Sequence, residues 1–237
     1  MLANNPRIVT NGLKLCLDAG TSASYPGSGT TWYDITGNGY NASLNNGPVW
    51  SSDGYFTFDG ADDTITYPNP LAGMGNLGQV WTVATWVNLS YNASSLLVSS
   101  GSLNYGLYLE AWTTNKMILY CNGGDSDYYR YSGTSTLSWL FGVEWCYIEF
   151  KFSNPKSEAN KGAYGGTAEI EMWVNNVSKT GGGPNKRSDP YGIGSTWTSF
   201  ANCDGKVKNL LVYDRWLSKA ESTQNYKAHF LNEGRLT

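Results

Sequence analysis

The chain has 237 residues, a formal net charge of −3 and charged side chains at 15% of its positions. A charge so close to neutral does not attract nucleic acid, and no stretch approaches the roughly 20 apolar residues that cross a bilayer. Ten Trp, 17 Tyr and 28 Gly are typical of a turn-rich, all-β protein and not of a helical bundle. We therefore expect one all-β domain that binds no nucleic acid and inserts into no membrane.

Strands are predicted where apolar and polar residues alternate, because successive strand side chains point to opposite faces of a sheet. The alternation is clearest at residues 12–18, where three leucines share a face, and at 81–89, where Trp86 faces away from Trp81 and Val83. Further short runs rich in β-branched and aromatic residues lie at 55–59, 64–67, 96–99, 105–110, 117–121, 146–152, 169–174 and 207–213. Gly, Asn, Asp or Pro bounds these runs, so the closely spaced strands predict a β-sandwich.

Helical spacing appears only near the end of the chain. Ser218 and Glu221 have the spacing of a capping box, and Tyr226 and Phe230 fall one turn apart. We therefore predict a short C-terminal helix that lies against the sandwich. His229, the single histidine of the chain, is on this helix without a nucleophile or a second histidine nearby, so we interpret it as structural.

The N-terminus and the cysteines bear on the compartment in which the chain is made. The first residues, MLANNPRIVTNG, have neither the basic head nor the apolar run of a signal peptide. We therefore predict synthesis in the cytoplasm without an export signal. Cysteines kept reduced there are expected to be buried free thiols, although pairing between any two of them stays open. The four are Cys16, Cys121, Cys146 and Cys203.

Two long segments near the ends of the chain carry a family resemblance. They read GLKLCLDAGTSASYPGSGTTWYDITGNGYNASL at 12–44 and GKVKNLLVYDRWLSKAES at 205–222. Together they resemble the opening and closing strands of a laminin G-like jelly roll, in the concanavalin A-like lectin and glucanase superfamily. Between them lie FTFDGADDTITYP, VWTVATWVN, EWCYIEFKF and AEIEMWVNNV, in the order of the family's strands. The resemblance implies an all-β, two-sheet antiparallel jelly-roll sandwich at residues 12–237, with an N-terminal arm at 1–11 and the short C-terminal helix.

One hairpin departs from the family pattern. Asn175 and Asn176 stand where the family commonly has Asn-Gly after its aromatic strand. Because Asn also tolerates left-handed backbone geometry, we expect the hairpin to be retained.

A glucanase-like active site is the first alternative to test. Glu169 and Glu171 are two apart on a predicted strand and share a face, and retaining glycoside hydrolysis needs two carboxyl groups about 5 Å apart. Ile170 and Met172, however, occupy positions where the glucanase motif has further acids. The pair is therefore interpreted as the polar face of a strand whose Ile170 and Met172 turn inward. With no nucleophile-elbow motif either, we predict that the protein is not an enzyme.

A metal site is the second alternative, because related lectin and laminin G-like domains hold Ca²⁺ in rim loops. Asp59, Asp62 and Asp63 are the densest acids, and Asp125 with Asp127 is a weaker option. Turn chemistry accounts for these residues: Asp59 precedes Gly60 in a tight turn, and Asp62 can accept local backbone N–H groups. No spacing here supplies the six to eight oxygen ligands of Ca²⁺. We predict no metal and no cofactor, with Ca²⁺ as the open alternative.

A carbohydrate site is predicted in the segment GGDSDYYRYSG at 123–133. Sugar rings present apolar C–H faces and many hydroxyls, so their sites combine aromatic platforms with acids and Arg. The predicted site consists of Asp125, Asp127, Tyr128, Tyr129, Arg130 and Tyr131. Alternation along a strand leaves open that one pair of these side chains packs in the core or at a subunit contact.

The resemblance also bears on function. The stretch YPGSGTTWYDITGNGYNASL resembles laminin G-like proteins encoded by tailed bacteriophages. It implies a non-enzymatic virion structural protein, either a capsid decoration or a tail or fibre surface protein, with glycan-binding loops. Its partners would be capsid or tail proteins, host-surface glycans and further copies in a homo-oligomer. The alternative is a free or cell-associated carbohydrate-binding lectin module, and a glycoside hydrolase is third.

Overall fold

The computed structural model describes residues 7–72, 80–90, 95–99, 106–110, 116–120, 128–131, 145–153, 169–178, 196–201 and 203–231. These residues form two antiparallel sheets and one C-terminal helix, which confirms the predicted β-sandwich. The first nine strands are β1 (Leu13–Asp18), β2 (Thr31–Trp32), β3 (Ala42–Asn45), β4 (Val49–Ser51), β5 (Tyr55–Asp59), β6 (Thr64–Pro68), β7 (Val80–Leu89), β8 (Ser95–Ser99) and β9 (Gly106–Glu110). The remaining elements are β10 (Lys116–Tyr120), β11 (Tyr128–Tyr131), β12 (Cys146–Ser153), β13 (Glu169–Val174), β14 (Val177–Ser178), β15 (Thr196–Ser199), β16 (Asp204–Val207), β17 (Asn209–Tyr213) and α1 (Lys219–Leu231).

Strand pairing defines a nine-stranded sheet, sheet I, and an eight-stranded sheet, sheet II. Sheet I has the order β14-β13-β12-β7-β16-β5-β4, and β17 continues alongside β7 and pairs with β1. Sheet II has the order β11-β10-β9-β8-β15-β6-β3-β2. The opening strand β1 and the closing strand β17 are antiparallel partners, so the two end segments lie side by side in sheet I.

The main core lies between the two sheets and is built by the predicted alternation. Leu15 and Leu17 of β1 and Phe56 and Phe58 of β5 point from sheet I, and each is fully buried. Trp32 of sheet II meets Phe56 with ring centroids 4.8 Å apart. Each such side chain that leaves water contributes about 1.5–3 kcal/mol, so this layer is the main source of stability.

Sheet I has a second covered face, here called the outer face, where helix α1 and the N-terminal arm pack. Its apolar residues are Val9, Cys16, Ala84, Trp86, Tyr147, Leu211, Tyr213 and Leu217. Trp86 thus faces away from Val83 as predicted, because β7 is buried on both sides. Several hydrogen bonds hold the arm. At Val9, the amide donates to Asn225 (2.8 Å) and the carbonyl accepts the Tyr213 hydroxyl (2.9 Å).

Local signals mark the hairpin and the helix correctly. Asn175 and Asn176 adopt φ of 47° and 63°, so the departure from Asn-Gly keeps the turn. The Ser218 hydroxyl accepts the Glu221 amide at 3.3 Å, and Glu221 accepts the Ser218 amide at 2.9 Å, which confirms the capping box. Among the described residues, no helix has both the length and the apolar character needed to cross a membrane.

One predicted strand is divided in the structure. Residues 207–213 do not form a single strand, because Lys208 separates β16 from β17 and its amide donates to the Trp86 carbonyl at 3.0 Å. The interruption is a property of the pairing with β7, which local sequence does not reveal. It lets the chain pair with β5 before Lys208 and with β1 after it.

Candidate functional site

The residues of the predicted carbohydrate site lie partly outside the described structure. Tyr128, Tyr129, Arg130 and Tyr131 form β11, which pairs with β10 and ends the described order of sheet II. Asp125 and Asp127 lie outside the described residues. This site therefore stays a prediction.

The glutamates of the glucanase-like alternative belong to strand β13. Glu171 accepts a hydrogen bond from Trp173 Nε1 at 2.9 Å and lies 3.4 Å from Lys151 Nζ. Met172 turns into the core between the sheets, as predicted. Glu171 is thus a polar residue of the outer face that is engaged by its neighbours.

The three acids of the metal alternative do come together. The carboxylates of Asp59, Asp62 and Asp63 offer oxygens within 4.8 Å of one another. Two of these carboxylates form hydrogen bonds within the turn itself. Asp59 accepts the Ala61 amide at 2.9 Å, and Asp63 accepts the Asp59 amide at 3.0 Å. Asp63, and not Asp62, is the residue that closes the turn. Burial raises the pKa of Asp63, and the charges of its two neighbours add to this effect. The turn accounts for the cluster.

The described residues also form an open cleft of about 660 Å³ on the outer face of sheet I, beside the C-terminal half of helix α1. This volume lies in the range of small-molecule sites. The cleft is lined by Asp18, Gly20, Thr21, Ser52, Asp53, Gly54, Tyr55, Trp145, Lys206, Lys208 and His229.

Two turns form one wall of the cleft, here called the acidic wall (Asp18, Thr21, Ser52 and Asp53). The turn after β1 is closed by Asp18, whose carboxylate accepts the Gly20 amide at 3.0 Å. The turn before β5 approaches it so closely that a Cβ on Gly54 would lie 2.7 Å from the Gly20 Cα. Carboxylates and hydroxyls therefore meet at one side of the cleft.

A second group of lining residues, here called the aromatic wall (Tyr55, Trp145, Lys206 and Lys208), pairs rings with ammonium groups. The Tyr55 and Trp145 rings are 5.6 Å apart between centroids. Lys206 Nζ lies 4.9 Å from the Tyr55 centroid, and Lys208 Nζ lies 4.4 Å from that of Trp145. Such cation–π contacts hold each cation near its ring while the methylene stem packs alongside. Two cations are therefore held beside two partly buried rings.

His229 reaches the cleft from the last turn of helix α1. Its Nδ1 lies 3.2 Å from the Asn225 carbonyl oxygen, so the neutral ring donates there and keeps Nε2 as an acceptor. Burial lowers the pKa of His229, the Asp18 charge opposes that shift, and the Lys208 charge adds to it. The structural interpretation of this histidine from sequence did not include its place in the cleft wall. The cleft residues come from distant segments, so no local motif could have found them together.

Comparison with known proteins gives matches by structure alone. No protein-family model matches the sequence, and no curated protein matches it. The binding domain of botulinum neurotoxin serotype D is 14% identical with a TM-score of 0.64, over 94% of this chain and 53% of that one. The binding domain of Paraclostridial Mosquitocidal Protein 1 is 13% identical with a TM-score of 0.65, over 93% and 53%. Trypanosoma rangeli sialidase in complex with sialic acid is 14% identical with a TM-score of 0.60, over 93% and 33%.

These comparisons agree with the architecture. The chain spans about half or less of the length of the solved structures it matches. At such low identity the likeness concerns the fold alone. The described residues form a two-sheet antiparallel β-sandwich, which is consistent with the predicted jelly roll.

Proposed function

We propose that this chain is a non-enzymatic carbohydrate-binding module that holds its ligand in the outer-face cleft. The observation that carries the proposal is that aromatic rings, ammonium groups and carboxylates line one open cleft of about 660 Å³. The similar folds of two toxin binding domains, and of a sialidase that was solved with sialic acid, add support for a binding role.

The chemistry of the two walls matches the two kinds of surface on a sugar ring. The C–H face of a sugar is apolar and packs on aromatic side chains such as Tyr55 and Trp145. Ring hydroxyls are donors to the carboxylates of Asp18 and Asp53 and acceptors for ammonium groups. Charge-assisted hydrogen bonds of this kind are stronger than neutral ones and fix orientation.

Catalysis is not part of the proposal. Glu171 of the glucanase-like pair already accepts hydrogen bonds from Trp173 and Lys151. A retaining glycosidase needs one carboxylate free to attack and a second about 5 Å away that donates a proton. Both bonds are made to Oε2 of Glu171, whose side chain is 36% exposed, and they account for this glutamate as a polar residue of the strand.

The test is binding to a glycan array, followed by titration calorimetry on the best ligand. Trp145→Ala and Tyr55→Ala are each expected to weaken binding by about tenfold or more, because each removes a packing surface. Tyr33→Ala is the matched control, since Tyr33 is 43% exposed and is not among the cleft residues. Thermal unfolding checks that each variant is folded.

Two other outcomes would contradict the cleft proposal. If both cleft variants bind normally while Tyr129→Ala or Tyr131→Ala does not, the ligand is bound at β11. If the protein releases reducing sugar and Glu171→Gln abolishes that activity, the protein is a glycoside hydrolase.

The finer proposal, a structural protein of a tailed bacteriophage, is supported by the resemblance of residues 25–44 to laminin G-like phage proteins. It is compatible with glycan binding, because a protein on a capsid or tail surface can present its cleft to host glycans. Purified particles should contain the chain at a copy number that matches a capsid or tail symmetry. Its absence from such particles would overturn this role and leave the lectin module.

A further inference from the structure

We propose that the ligand of the cleft is an anionic glycan, with its carboxylate or sulfate bound by Lys206 and Lys208 and its ring hydroxyls bound by the acidic wall. The inference rests on the proposed carbohydrate-binding function and deepens it by naming the ligand class. Uronic acids and sulfated sugars both belong to this class, because each carries a negative group on a ring with several hydroxyls.

The two lysines are brought together by the two rings that they contact. Lys206 Nζ lies 4.9 Å from the Tyr55 centroid and Lys208 Nζ lies 4.4 Å from the Trp145 centroid. These two centroids are 5.6 Å apart, so the two long side chains can converge on one anionic group. Both line the same cleft.

The charge of Lys206 is not neutralised by the described protein, whereas other cations of the fold are. Lys14 lies 2.8 Å from an Asp214 oxygen, and Arg215 lies 2.6 Å from a Glu221 oxygen. Lys151 lies 3.4 Å from each of two glutamates. Among the described residues, Lys206 forms no ion pair, and its contact is the Tyr55 ring. A partly buried cation without a counter-charge favours an anionic ligand.

The acidic wall limits what that ligand can be. Asp18 and Asp53 line the same cleft as the lysines, so their negative charge would repel a ligand charged along its whole length, such as a polyphosphate or nucleic acid. The same carboxylates accept hydrogen bonds from hydroxyls. The ligand that matches this lining therefore combines hydroxyls, one negative group and a C–H face for the rings.

The experiment compares matched triplets of each glycan, namely the neutral sugar, its uronic acid and its sulfated form, by calorimetry at low salt. The anionic forms are expected to bind roughly tenfold more tightly than the neutral form, which is the size of a charge-assisted bond. Comparison of the uronic acid with the sulfate identifies which anion the cleft takes. Raising the salt concentration should reduce the anionic affinity and leave the neutral affinity unchanged.

Substitution of the two lysines tests whether they cause the preference for anionic glycans. Lys206→Gln and Lys208→Gln keep most of the side-chain stem and are expected to abolish the anionic preference while weak neutral binding remains. Lys227→Gln is the matched control, because Lys227 is exposed on helix α1 and is not among the cleft residues.

The outcomes separate the two proposals. Binding of neutral sugars as tightly as anionic ones overturns the inference and leaves the carbohydrate-binding function. An anionic preference that survives both lysine substitutions also overturns it, because the negative group is then bound elsewhere. Failure of every glycan to bind overturns the proposed function itself.

Discussion

Tyr226 of helix α1 stacks on Trp86 of strand β7, with ring centroids 5.6 Å apart and ring planes inclined by 16°. Tyr147 of β12 joins them at 6.0 Å from Tyr226. This aromatic cluster ties the helix to the outer face of sheet I. Because His229 lies about one turn further along the helix, the same cluster determines where His229 meets the cleft.

We expect Tyr226→Ala to lower the free energy of unfolding by about 2 kcal/mol, because a partly buried ring and its stacking contacts are lost. Urea denaturation measures the change. Tyr226→Phe, which keeps the ring, should lose much less. Equal losses in both variants would mean that the hydroxyl, and not the stack, holds the helix.

Glu149 and Lys151 form a buried ion pair beneath the same helix. Their side chains are 0% and 1% exposed, and Lys151 Nζ lies 3.4 Å from Glu149 Oε1. Glu149 also accepts the hydroxyls of Ser222 at 2.5 Å and Tyr147 at 3.3 Å. Burial raises the pKa of Glu149, and these partners and Lys151 oppose the shift. The carboxylate therefore links sheet I to helix α1.

Glu149→Ala is expected to destabilise the fold by about 3–5 kcal/mol, because it leaves Lys151 buried with Glu171 as its remaining carboxylate. The double variant Glu149→Leu with Lys151→Met should recover much of the loss, since no charge then stays buried. Urea denaturation of the three proteins measures this. A double variant as unstable as the single one would contradict the explanation.

Glu221 predicts a pH effect at the start of helix α1. Hydrogen bonds from Arg215 and Ser218 lower the pKa of Glu221 to about 2. Partial burial of the carboxyl group opposes this shift. A carboxyl group with a lowered pKa stabilises the fold above its unfolded value of about 4.5, and this contribution is lost as the pH falls towards 2. Glu221→Gln should cost about 1 kcal/mol at pH 7 and almost nothing near pH 2. A cost that is constant across this range would contradict the pairing.

Gly54→Ala should lower the free energy of unfolding by more than a Gly→Ala substitution at another turn with positive φ. Gly54 has φ of +79°, and its new Cβ would meet the Gly20 backbone. Gly39→Ala is a matched control, because Gly39 has φ of +82° and open space around it. Both variants carry backbone strain of about 1 kcal/mol, and Gly54→Ala adds the clash. Equal unfolding free energies for the two variants would show that the turns separate without cost.

His229 predicts a loss of stability in mild acid. Because the folded protein lowers the pKa of His229, the unfolded chain binds a proton more readily below about pH 6.5. Stability therefore falls as the pH drops below that value, with Asp18 limiting the loss. His229→Gln should remove this part of the pH dependence, as measured by urea denaturation between pH 5 and 8. An unchanged pH profile would contradict the assignment.

Local sequence patterns predicted the longer strands and the C-terminal helix. The spacing of Ser218 and Glu221 predicted the start of the helix. Alternation predicted that Leu13, Leu15 and Leu17 would share a face; Leu15 and Leu17 do lie in the core, but Leu13 packs on the outer face because the pairing of β1 with β17 shifts register between Leu13 and Leu15. Five strands with only two to four residues each were not predicted, namely β2, β3, β4, β14 and β15. Such short strands exist because a neighbouring strand pairs with them.

Side-chain periodicity is a property of neighbouring residues, and it was therefore enough to predict the class of the fold, an all-β sandwich with a C-terminal helix. The tertiary structure decided the cleft, which joins Asp18, Tyr55, Trp145, Lys206 and His229 from distant parts of the chain. It also decided the interruption at Lys208, which depends on pairing with Trp86. These features follow from contacts between strands far apart in sequence, and no local pattern carries that information.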